Sequence, residues 1–162
     1  MIEKLITLAS NLTNCIVHPV AGTPLLELVP HLPEDLIAFY SVCGGVDLFV
    51  DSEYKITIVP PSKFVLANPL IVGELCEDDI SSNWYTVAQY DNNEFISIDL
   101  YEGRLGKCYD SFHETHGLVG ETPVISLSFT ELLSKLLSLK GERYFWLDES
   151  FTPYGDAYDI LI

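Results

Sequence analysis

The stretch WYTVAQYDNNEFISIDL, residues 84–100, decides the architecture. Trp84 to Tyr90 is rich in aromatic and β-branched residues, and Glu94 to Leu100, with its alternating Phe95-Ile96-Ser97-Ile98, reads as a second strand. Between them stand Asp91, Asn92 and Asn93. Asn and Asp tolerate positive φ, so the three form a hairpin turn. Downstream, Glu102 and Gly103 make a further turn into a strand over 105–109, which completes a three-stranded meander. Upstream, residues 46–50 form a short strand. Residues 54–59 alternate, with Tyr54, Ile56 and Ile58 on one face, and Pro60 and Pro61 end that strand because proline cannot donate to a ladder.

Helices flank these strands. Ile2, Leu5, Ile6, Ala9 and Leu12 fall on one helical stripe. A connector with Pro19, Gly22 and Pro24 follows. Pro33 suits a first helical position, with Glu34 and Asp35 beside the positive end of the helix dipole. Leu32, Leu36, Phe39, Tyr40 and Cys43 then make a buried stripe that Gly44 and Gly45 stop. Residues 62–79 are ambiguous, with a short helix expected around 64–68 and a loop ending in Glu77, Asp78 and Asp79. Near the other end, Ser128 and Glu131 make a capping box ahead of Phe129, Leu132, Leu133, Leu136 and Leu137. Lys135, Lys140 and Arg143 suit the C-terminal end of that helix, and Gly141 terminates it. Helices, then antiparallel strands, then a helix imply an α+β class with helices packed on a twisted sheet. One domain over 1–162 is expected, its core about 2–146, with an acidic aromatic tail over 147–162 that packs on it.

Composition narrows the function. The 162 residues carry 24 acidic against 8 basic side chains, a formal net charge of −16, yet 48% are hydrophobic. Such a chain folds, and its acidic surface disfavours nucleic acid and anionic membranes while attracting basic partners. Residues 5–26 carry no formal charge, but Asn11, Asn14, His18, Pro19 and Gly22 break the run, so neither a membrane span nor a targeting segment is expected. Cys15, Cys43, Cys76 and Cys108 are widely spaced, which fits reduced thiols and a cytoplasmic location.

Motifs for chemistry are missing. His113 and His116 are three apart, but the zincin pattern needs four, and Gly117 and Gly120 mark a loop in which both histidines are read as solvated. Asp91, Asn93 and Asp99 fail as a calcium loop because Phe95 and Ile96 hold its fifth and sixth positions. Gly44-Gly45 lacks the spacing and lysine of a phosphate loop, and no Gly-x-Ser-x-Gly elbow occurs. No catalytic residue, cofactor or metal is assigned, and a small enzyme or metal protein is the weakest of three hypotheses.

Five pieces in order carry a family resemblance: HLPEDLIAFYSVCGGVDLF, WYTVAQYDNNEFISIDL, GRLGKCYDSFHE, SFTELLSKLL and YFW. Together they resemble the SMI1/KNR4-like (SUKH) superfamily over roughly residues 2–146. Cys43 departs from it, standing where that family often has Asn. The resemblance implies an α+β fold and no shared catalytic residues. For bacterial members it implies an immunity protein that binds a toxin, often a basic nuclease, of a polymorphic or contact-dependent system. For fungal members it implies a regulatory or scaffold module linked to cell-wall synthesis. On the first alternative, partner-binding residues are expected in an acidic loop and a hairpin tip: Glu77, Asp78, Asp79, Asp91, Asn92, Asn93 and Glu94, with Asp148 and Glu149 in the tail. Tyr and Trp nearby would supply rigid anchors. The oligomeric state is left open.

Overall fold

The computed structural model describes residues 1–26 and 31–159. Among the described residues, seven strands form one sheet whose spatial order is the sequence order. They are β1 (Ile16–Val17), β2 (Val46–Leu48), β3 (Ile56–Ile58), β4 (Trp84–Tyr90), β5 (Glu94–Asp99), β6 (Cys108–Ser111) and β7 (Val124–Ser126). Every neighbouring pair is antiparallel. Helices α1 (Ile2–Ser10), α2 (Glu34–Val42), α3 (Ala67–Ile71) and α4 (Phe129–Leu139) complete an α+β fold. No helix among the described residues is long and apolar enough to cross a membrane.

Successive residues of a strand face opposite ways, and that alternation builds two cores. Tyr85, Cys108 and Ile125 join a large apolar cluster with α1, α2 and α4. Their neighbours Trp84, Tyr109 and Val124 form a second cluster with Ala67, Ala157 and Tyr158. The tail reaches that cluster by running beside β7: Pro123 bridges Asp156, and the Val124 N–H donates to the Gly155 carbonyl. The last three residues of the tail lie outside the described residues.

The α2 stripe is buried throughout: Leu32, Leu36, Phe39, Tyr40 and Cys43. Its glycine stop works partly by contact. A Cβ on Gly44 would lie 2.2 Å from the Pro19 carbonyl oxygen, while Gly45 holds φ +116. Ser128 caps α4 by accepting the Glu131 N–H, but the Glu131 carboxylate accepts from Leu127 N–H, one residue before the cap.

Three expectations shift. The strand expected over 105–109 runs over Cys108–Ser111, because Gly106 turns the chain at φ +90 just ahead of it. The helix expected around 64–68 begins at Ala67, because residues 63–66 lie along β4. There the Thr86 N–H donates to the Val65 carbonyl at 2.8 Å, the Thr86 hydroxyl donates to the Lys63 carbonyl at 3.0 Å, and Leu66 bridges Tyr85. Tyr54, expected in one strand on the same face as Ile56 and Ile58, lies outside it and is exposed, because β3 starts only at Ile56. Phe49 is instead the aromatic of that turn that enters the core, at φ 56.

Candidate protein-binding surface

The β4–β5 hairpin puts Asp91, Asn92 and Asn93 at an exposed tip, with φ values of 36, 48 and 87. Three consecutive left-handed residues favour Asn and Asp, whose short polar side chains tolerate that region. Asn93 Oδ1 accepts from Gln89 Nε2 at 3.0 Å, which steadies the tip. Glu94 does not belong to the exposed tip. It is only 9% exposed, and its carboxylate accepts the His113 N–H at 2.9 Å and meets His113 Nδ1.

Beside the tip lies the segment after α4. Tyr144 packs edge-on against Tyr54 and Tyr90, and it feels both the backbone and the carboxylate of Asp91. Asp148 is tied into its own turn. It accepts from Ser150 N–H and hydroxyl at 2.8 and 2.6 Å and pairs with Arg143, and these contacts lower its pKa. Glu149 is exposed. Tyr54, Arg143, Tyr144, Leu147, Asp148 and Glu149 line a shallow hollow of about 440 Å³.

Glu77, Asp78 and Asp79 stand at the opposite end of β4, which spans about 20 Å at ~3.3 Å per residue. The sequence-derived set therefore splits into two groups. Glu77 and Asp78 are exposed. Asp79 instead caps the 3-10 turn Ile80–Asn83, accepting from Ser81 N–H at 2.9 Å and from Tyr158 OH at 2.8 Å. Burial raises its pKa, but those hydrogen bonds outweigh burial and hold it below the usual carboxylate range.

Three buried polar groups were not anticipated from the sequence. His116, read as a solvated loop residue, is 6% exposed, with Nε2 2.6 Å from Asn68 Oδ1. Because Asn68 Nδ2 donates to Leu75 O and Ser81 Oγ, Asn68 Oδ1 is the acceptor and His116 carries its proton on Nε2. Burial pushes the His116 pKa down to about 4, so the ring is neutral at pH 7. Asp99, fully buried, accepts from Trp84 Nε1, Arg104 Nε and Tyr109 OH at 3.0, 2.7 and 2.7 Å. Burial pushes Asp110 up to about 6, against the hydrogen bonds from Tyr90 OH and Phe112 N–H. These groups brace the second face and the tip. Asn68, Trp84 and Tyr90 reach them from other elements, which no local pattern reveals.

Among the described residues no group of three or more His, Cys, Asp or Glu side chains is placed to hold a metal ion. The four cysteines are free thiols, two buried and two partly exposed.

No family profile matches the chain, and no solved structure matches it. Immunity protein YokJ of Bacillus subtilis (strain 168) is 47% identical over 158 residues, which is 98% of this chain and 96% of that protein. Identity at that level, sustained over nearly the full length of both, means that this chain belongs to the same family as immunity protein YokJ.

Proposed function

We propose that this chain is an immunity protein of the SMI1/KNR4-like (SUKH) type, which neutralises a protein toxin in the cytoplasm by covering it, without making or breaking a bond. The observation that carries this is the 47% identity to immunity protein YokJ over nearly all of both chains. The ordered landmarks and the antiparallel α+β architecture support the superfamily assignment. Free thiols fit a reducing compartment.

The surface supports the manner of binding. A net charge of −16 steers a cationic partner towards the molecule, and such steering acts chiefly on association rate. Exposed carboxylates of Glu77, Asp78, Asp91 and Glu149 are available for rim contacts, whereas Asp79, Glu94 and Asp148 are engaged within the fold.

Co-expression with the product of the open reading frame beside its gene tests the proposal. Rescue of growth together with co-purification of the two chains is expected. A result with no rescue and no binding refutes it. Binding to a cell-wall enzyme with no toxin encoded nearby is the outcome a regulatory module would give.

A further inference from the structure

The segment 63–66 and helix α3 leave an apolar groove beside β4. Phe64, Leu66, Pro69, Leu70, Leu75 and Tyr85 line about 400 Å³ of it, within the range of pockets that accept an anchoring group. Leu70 and Leu75 are 51% and 44% exposed, and the exposed Leu25 and Val65 also line the groove. Scattered exposed leucines are ordinary, but several around one concave feature mark a contact site.

The chain that leaves the groove at Leu75 is acidic. Glu74, Glu77 and Asp78 are exposed within three residues of Leu75 in the chain, against one exposed cation, Lys63, on the segment leading in. An apolar floor with charge on one flank suits a protein-binding hot spot, in which a central anchor is desolvated and the surrounding polar groups stay wet.

We infer that this groove is the toxin-docking face: it receives an apolar side chain of the toxin, flanked by Lys or Arg that meet Glu74, Glu77 and Asp78. The inference rests on the immunity function proposed above and selects one of the two ends of β4 as the contact. The hairpin-tip end has a weaker claim. Its hollow includes the cation Arg143, and Asp148 is already paired with it.

The experiment measures binding kinetics of the full chain with an inactivated form of the protein encoded by the adjacent open reading frame. Leu70→Asp and Leu75→Asp change exposed positions, so both variants are expected to keep the wild-type melting temperature, which is checked first. Each is expected to weaken binding about 100-fold, chiefly through faster dissociation. Glu77→Lys with Asp78→Lys is expected to slow association about tenfold at low salt, an effect that fades as salt rises. Asp91→Lys with Glu149→Lys, at the other end of β4, is expected to stay within about threefold of wild type.

Tight binding by the wild type that survives Leu70→Asp and Leu75→Asp overturns the groove but leaves the immunity function standing. So does a chain that dimerises through the groove and becomes monomeric on Leu70→Asp with toxin affinity unchanged. A wild-type chain that does not bind the toxin at all overturns both.

Discussion

Two buried titratable side chains pull stability in opposite directions over the same pH range. His116 has a folded pKa of about 4 against an ordinary 6.5, so the unfolded chain binds more protons between those values. Its contribution to stability is complete above pH 6.5 and is lost as pH falls towards 4. Asp110 is the reverse. Its folded pKa of about 6 exceeds the ordinary 3.8, so it favours the folded state at low pH, and that contribution is lost as pH rises through 6. Asp110→Asn keeps an acceptor for Tyr90 OH and removes the second effect. The variant is expected to gain about 1–2 kcal/mol relative to wild type on going from pH 4.5 to 7, measured by urea unfolding at both pH values. Equal pH profiles for the two proteins would contradict it. Asp99 holds three side-chain donors at a fully buried position, and Asp99→Ala leaves Arg104 as a buried cation without its carboxylate. A loss of about 3–5 kcal/mol is expected in the same assay. None of these roles was legible in the sequence. His116 meets Asn68 across 48 residues and Asp99 meets Trp84 across 15, so their partners appear only once the meander is built. The exposed tip at Asp91, Asn92 and Asn93 was legible, because a turn is specified by the residues that make it.

Elements with strong local signals matched their expected positions. The 84–100 hairpin, the α2 stripe and the Ser128-capped α4 each carry turn, periodicity and cap information within a dozen or so residues. The weak elements owe their existence to neighbours. β1 has two residues and, among the described residues, pairs with β2 alone, and α3 starts where segment 63–66 leaves β4. The apolar groove escaped notice for the same reason, since Leu66, Leu70 and Leu75 show no period that separates core from surface. Local and tertiary specification have different costs when broken. Ser128→Ala removes one cap bond to the Glu131 N–H and is expected to cost about 1 kcal/mol. Gly44→Ala drives a methyl group to 2.2 Å from the Pro19 backbone oxygen, and about 3 kcal/mol or more is expected. Thermal unfolding of both variants ranks them, and a milder effect at Gly44 would mean that the 18–21 segment yields easily.

At the scale of the whole molecule, the sheet holds two differently shaped surfaces at the ends of β4 and an acidic field over both. The field was legible from composition, because net charge needs no structure to count. The division of the expected site into two ends was not, since it follows from the length and direction of β4. Buried acids such as Asp99, Glu94 and Asp110 also show that acidic residues in the sequence are not all surface charge. On the proposed reading, what remains exposed serves encounter and the apolar groove beside α3 serves retention. Neutralisation by coverage consumes one chain for each toxin molecule. Titrating a fixed amount of the cognate toxin with increasing amounts of this chain, and following residual toxin activity, therefore probes the mechanism most directly. A linear fall to zero at a one-to-one ratio is the expected result. Complete loss of activity at a small fraction of one equivalent would mean that the chain turns over, and neutralisation by simple coverage would be wrong.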